Sequence, residues 1–211
     1  MTKFVLASAS PARREVLRSA GIDPIVRVSD VDEDAIAAAL PDGTSPKVVV
    51  VELAKAKAAA VAATIPELGP DCVVVGCDSM LLVDGELQGK PHTADVARAR
   101  WGEMAGRSAD LVTGHCVLRI QDGRITAEAI DCSSTTVHFA KPEPDELDAY
   151  IATGEPLQVA GAFTLDGLGG WFVDRIDGDP SSVIGIGLPL LRRLLGDVGV
   201  AVTQLWGHPA T

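Results

Sequence analysis

The sequence predicts an α/β fold, and three observations carry that prediction. Apolar β-prone runs alternate with capped, amphipathic helix patterns through the first half of the chain. Two Asp-Gly pairs, Asp84-Gly85 and Asp122-Gly123, stand between apolar arms and mark hairpins in the middle. The 211 residues suffice for one sizeable core, and no repeat, low-complexity tract or linker divides them. A single domain over residues 1–211 is therefore expected.

The elements follow in order. Phe4-Val-Leu6 reads as a buried strand, with the small polar residues Ser8 and Ser10 after it. Ser10 is the predicted N-cap of a helix with Pro11 in its first position; Ala12, Val16, Leu17 and Ala20 give its apolar face and Gly21 closes it. Ile22 to Val28 alternates as a strand, and Val31 to Asp34 is an acidic loop or helix entry. Lys47 to about Thr64 is a long helix of good helix formers. Cys72 to Val75 is apolar enough for a strand buried on both faces, ending at Gly76, with Asp78 where the chain emerges. Leu81 to Gln88 is a hairpin, and Thr93 caps a helix to Ala105. Val117 to Ile120 and Ile125 to Phe139 are the arms of a second hairpin. Pro144 to Thr153 is a short helix, Phe163 to Gly170 a Gly-rich loop and Trp171 to Ile176 a strand. A helix over Leu190 to Leu195 and a strand from Val200 to Leu205 close the chain.

The chemistry concentrates at the first strand–helix junction. Free backbone N–H groups and the positive end of the helix dipole meet there. Ser8 and Ser10 add hydroxyls, and Arg13 and Arg14 add guanidinium groups, a set that suits a phosphate chain as well as it suits an ordinary cap with two solvated arginines. Asp78 is placed either to act on a ligand at a strand end or to cap a turn. Lys55 and Lys57 lie two apart on their helix and so point to different faces, and spacing alone does not choose between them.

Composition narrows the field. Hydrophobic residues make up 47% and charged residues 22%, as in a folded globular chain. No apolar run approaches the roughly 20 residues of a membrane span, and the first residues are too brief an apolar run for a signal sequence. A cytoplasmic protein is expected, with no membrane partner. The net charge of −11 argues against a nucleic-acid polymer and means that any phosphate site needs clustered cations or a metal. Cys72, Cys77, Cys116 and Cys132 form no C-x-x-C pair, and His92, His115, His138 and His208 show no ligand spacing.

The stretch Ser8-Ala-Ser-Pro-Ala-Arg13 resembles the S-x-S-P-x-R signature of the Maf family of nucleoside triphosphate pyrophosphatases. The resemblance continues through Val31-Asp-Glu33, Leu53-Ala-Lys-Ala-Lys-Ala58, Gly76-Cys-Asp-Ser79, Asp84-Gly85, Gln88-Gly-Lys-Pro91, Thr113-Gly114, Gly154-Glu-Pro156 and the segment ending Gly187-Leu-Pro189. It covers Leu6 to Leu194. It departs in two places: a family histidine falls on Ala109 or Asp110, and a common lysine is Val159.

The resemblance implies two lobes around a long, curved mixed sheet with the active cleft between them. It implies hydrolysis of a nucleoside triphosphate to monophosphate and pyrophosphate, with Asp78 as general base and Asp78 and Glu33 as ligands of a divalent cation, Mg²⁺ or Mn²⁺. It selects Lys57 over Lys55. Ser8, Ser10, Arg13, Arg14, Lys57, Ser79 and Lys90 would bind the substrate. Ala12 and Asp166 fall where family branches of different base preference diverge. Ala12 matches neither branch, whereas Asp166 leans toward a guanine-like base, whose N1–H and N2–H suit a carboxylate acceptor. The expected partner is the nucleotide, and a homodimer stays open. Two rivals stand beside this reading: a nucleotide-binding regulator of cell division without turnover, and a phosphatase that releases orthophosphate.

Overall fold

A computed structural model of the chain describes residues 2–64 and 69–207; His208 lies outside them. The fold is mixed α/β. Strands β1 (Lys3–Leu6), β2 (Ile25–Val26), β3 (Asp71–Val83), β4 (Glu86–Gln88), β5 (Ser108–Gln121), β6 (Arg124–Phe139) and β7 (Val173–Asp177) form one sheet. Its order is β2-β1-β3-β5-β6-β7, with β4 on β3. β1 runs parallel to β2 and β3, whereas the β3–β4 and β6–β7 pairs are antiparallel, so the sheet is mixed. Helices α1 (Pro11–Ser19), α2 (Glu33–Ala38), α3 (Pro46–Ala62), α4 (Ala94–Met104), α5 (Pro144–Ala152), α6 (Pro180–Ile184) and α7 (Leu188–Asp197) complete the main elements. No helix among the described residues is long and apolar enough to cross a membrane.

Contacts divide the chain into two compact units. One holds the described residues up to Asp78, Thr113–Cys132 and the described residues from Gly185; the other holds Ser79–Val112 and Ser133–Ile184. In the first, the two-residue period of the strands sorts the core. Phe4, Leu6, Val73, Val75 and Cys77 pack with Leu17 of α1 and with Leu190, Leu191, Leu194 and Leu195 of α7. Their neighbours Val5, Ala7, Cys72 and Val74 pack with Ala54, Ala58 and Val61 of α3. In the second unit Leu81, Val83, Leu111, Val137 and Phe139 pack against Trp101 and Met104 of α4 and Tyr150 and Ile151 of α5. Trp101 is fully buried and its indole N–H donates to Ala162 O at 2.8 Å.

Local signals are realised where they are local. Ser10 caps α1 with Pro11 at its start, Thr93 caps α4, and both residues of each Asp-Gly turn have positive φ. Four expectations need correction. The second strand is only Ile25–Val26, because Ile22 N–H is bound to Leu17 O in the turn that closes α1. The third strand does not end at Gly76: it runs to Val83, so Asp78 sits within it. Gly76 serves a different purpose, since a Cβ there would come within 2.2 Å of Ala54 O on α3. Trp171 belongs to a 3₁₀ turn, Leu168–Phe172, with the strand starting at Val173. Val200 to Leu205 is no strand: Val200 N–H closes α7 on Leu195 O, and Val202–Gln204 is a 3₁₀ turn. The acidic stretch is a helix entry, with Asp32 capping α2 through Ala35 N–H.

Candidate active site

On β3, positions 72, 74, 76 and 78 share the face that meets α3. Glycine at 76 lets the helix backbone approach, and Gly114 on the adjacent β5 does the same, its hypothetical Cβ lying 2.3 Å from Val50 O. Lys57 of α3 therefore reaches Asp78 directly: Nζ lies 2.6 Å from Asp78 Oδ1 and 2.9 Å from Glu33 Oε1 at the start of α2. Lys57 and Asp78 are buried, whereas the Glu33 side chain is 43% exposed. Lys55 points elsewhere and pairs with Glu52. Burial pushes the Asp78 carboxyl above the ordinary carboxylate range, and Glu33 adds to that, against the pull of Lys57 and Arg13. Asp78 Oδ2 is buried and has no hydrogen-bond partner among the described residues.

The first turn of α1 meets the same strand. Arg13, buried, donates through Nη1 to Ser8 Oγ at 3.1 Å and to Cys77 O at 2.9 Å, and through Nε to Gly185 O at 2.8 Å. Ser8 Oγ also accepts from Ser10 N–H, and Ser10 Oγ from Arg13 N–H. One guanidinium thus joins the β1–α1 loop, the peptide just before Asp78 and a turn from the far end of the chain. Cys77 beside it is no nucleophile: burial pushes its thiol up to about 11. Arg14 is exposed on the same turn, where it pulls weakly on Asp23, and Ala12 is half-buried there.

Seven of the residues singled out in the sequence (Ser8, Ser10, Arg13, Arg14, Glu33, Lys57 and Asp78) lie with Ala12 in the first unit. Ser79, Lys90 and Asp166 belong to the second. There Ser79 is half-buried and Lys90 and Asp166 are exposed. Asp166 lies on a loop held by Glu155, whose carboxylate accepts from Thr164 Oγ1, from Leu168 N–H at 3.1 Å and from Gly169 N–H at 3.0 Å. Burial alone would raise the Glu155 carboxyl, but these bonds hold it below the usual range. Sequence reading missed the turn Gly185-Ile-Gly187 and its part in holding Arg13; two glycines before a Pro-led helix were the available signal.

A divalent cation can be tested against this geometry. An unpartnered buried carboxylate oxygen at Asp78, with a second carboxylate one ammonium away, suits a hard cation that takes oxygen ligands. No group of three or more His, Cys, Asp or Glu is gathered for a metal among the described residues. Phosphate oxygens and water would have to supply the rest of the shell, as is usual for Mg²⁺.

A family model described as Maf-like protein matches residues 3–198. The chain is similar to proteins named nucleoside triphosphate pyrophosphatase. The one from Nocardia farcinica is 83% identical over 98% of both chains. That from Rhodococcus jostii is 69% identical over 98% of this chain and 97% of its own. That from Mycolicibacterium gilvum is 58% identical over 98% and 99%. With the family model spanning nearly its whole length, the chain belongs to the Maf family.

Proposed function

We propose that this chain is a nucleoside triphosphate pyrophosphatase, hydrolysing the α–β anhydride to give a nucleoside monophosphate and pyrophosphate. The observation that carries the reading is Asp78: a buried carboxylate with one oxygen on Lys57 and the other unpartnered among the described residues, next to the peptide that Arg13 holds. A module that only bound anions would gain nothing from such a carboxylate beside its phosphates.

The residues divide the work by charge. The N-terminus of α1, Ser8, Ser10, Arg13 and Arg14 meet the phosphate chain, with Lys57 as a further donor. Asp78 Oδ2 accepts the proton of a water whose oxygen bonds to the α-phosphorus, and the bond from that phosphorus to the bridging oxygen breaks, releasing pyrophosphate. Lys57 favours the ionised form of Asp78, against the burial that raises its carboxyl. Glu33 and Asp78 would hold Mg²⁺ or Mn²⁺, which when bound neutralises phosphate charge and makes bound water more acidic.

The same reading places the enzyme in the cytoplasm, clearing unwanted nucleotides from the pool. Its partner is the free nucleotide, since a net charge of −11 repels a nucleic-acid polymer. Sedimentation will read whether it works as a homodimer. Chromatography of the products from a nucleotide panel tests the whole proposal: monophosphate with pyrophosphate is expected. Orthophosphate alone would favour a phosphatase, and no turnover with any nucleotide and metal would favour a regulator.

Base preference follows from Asp166, exposed on its loop and able only to accept hydrogen bonds. GTP or 7-methyl-GTP should be hydrolysed faster than dTTP or UTP at equal metal concentration. Faster pyrimidine turnover would reverse that assignment.

A further inference from the structure

The turn Gly185-Ile186-Gly187 is tied at both ends. At one end Gly185 O accepts from Arg13 Nε. At the other, Gly187 N–H donates to His115 Nε2 at 3.0 Å. His115 is a fully buried side chain of β5, and its Nδ1 lies 3.2 Å from Thr113 O. A backbone N–H can only donate, so Nε2 accepts and the ring proton sits on Nδ1, where it donates to Thr113 O. Both ring nitrogens are thereby satisfied in a neutral imidazole. An aliphatic side chain would fill the same space but would leave Gly187 N–H, at the N-cap of α7, without this acceptor.

We propose that His115 is a positioning residue of the active site. Through Gly187 and Gly185 it fixes Arg13, and through Arg13 it fixes Ser8 and the peptide carbonyl just before Asp78. The middle of this path is closely packed. Gly185 has φ +138°, and a Cβ there would come within 3.1 Å of Arg13 Cγ and 3.3 Å of Nε, so the turn packs directly on the arginine shaft. A shift of the turn must move the guanidinium.

The test is a double-mutant cycle of His115→Leu and Arg13→Lys, since lysine keeps the charge but lacks the Nε–H that Gly185 O accepts. It is read as kcat/KM for pyrophosphate release and as binding of inorganic tripolyphosphate by calorimetry. His115→Leu should lower both by about tenfold in the parent, for an unsatisfied buried donor, and by much less in the Arg13→Lys background. Equal factors in the two backgrounds would mean a structural role only and would overturn the proposal. His115→Gln, whose amide oxygen reaches the depth of Nε2, should restore most of the loss, whereas the shorter His115→Asn should not. Equal behaviour of Gln and Asn also overturns it. If the leucine variant fails to fold, the asparagine variant takes its place in the cycle. The kinetic arm rests on the pyrophosphatase reading; if the parent releases no pyrophosphate that reading falls, while tripolyphosphate binding still decides the role of His115.

Discussion

The two compact units solve the same packing problem with opposite materials. In the first, small residues dominate the α3 layer (Ala54, Ala58 and Ala62 against Ala7, Val74 and Gly76), and charged groups are buried among them. Among the described residues Arg13, Lys57, Asp78 and Arg119 are the buried charges, and all four lie in this unit. In the second, the core is aromatic and uncharged. Trp101 meets Phe139, Tyr150 and Phe172 with ring centroids 5.6, 6.2 and 5.9 Å apart, all three edge-on at 77°, 90° and 80°. Close backbone approach brings charged side chains within bonding distance of one another, and buried charge is stable only when paired at that range. Large rings fill volume and need no such partners. The difference teaches where chemistry is affordable: beside small residues, not among rings.

Substitutions in each unit sharpen that contrast. The largest effect expected is on turnover. Asp78→Asn should lower kcat by about 10²–10⁴-fold, the usual cost of removing a general base, with the fold intact by circular dichroism. Turnover near the parent's would remove Asp78 from the reaction. Next, Trp101→Ala in the ring cluster should cost about 3–5 kcal/mol of stability, the range for emptying a buried aromatic site, as read by urea titration. A loss under 1 kcal/mol would mean the cluster closes over the gap.

Glu155→Gln should cost about 1 kcal/mol near neutral pH, because an amide has a single acceptor oxygen for three donors. The sign with pH follows from the lowered carboxyl. Its stabilisation is complete above the unfolded pKa of about 4.3 and is lost as pH falls through the folded value. The difference between parent and variant should therefore shrink below about pH 4. A constant difference across that range would show that charge plays no part.

The smallest effect is at the surface. Arg14→Ala should weaken triphosphate binding more than monophosphate binding, and less so in high salt, since an exposed charge is screened over about 8 Å at physiological ionic strength. Equal loss for both ligands would turn Arg14 away from the phosphates.

What could be read in the sequence was what is settled within a few residues. Ser10 with Pro11, the Asp-Gly turns and the Thr93 cap were legible because each is fixed by its own backbone. Asp78 was legible as a carboxylate on the central strand, yet its setting was not. Gly76 reads as a strand end, and only the passage of α3 over it explains the glycine within a thirteen-residue strand. The choice of Lys57 over Lys55 needed either a family resemblance or the direction of α3 on the sheet, and local spacing contains neither. Arg13 was legible as a cation. Its bond to Gly185, 172 residues away, had no local trace.

The two glycines under α3 carry a lesson for anyone wishing to transplant this site. Gly76 and Gly114 contribute no side chain, and ordinary inspection of the charged cluster would leave them out. They nevertheless set the depth at which Lys57 meets Asp78, since a Cβ at either would collide with the backbone of α3. A recipient scaffold given the charged residues but an ordinary sheet would hold its helix too far from the sheet for that contact. The minimal portable unit is the set of side chains together with the bare floor beneath them.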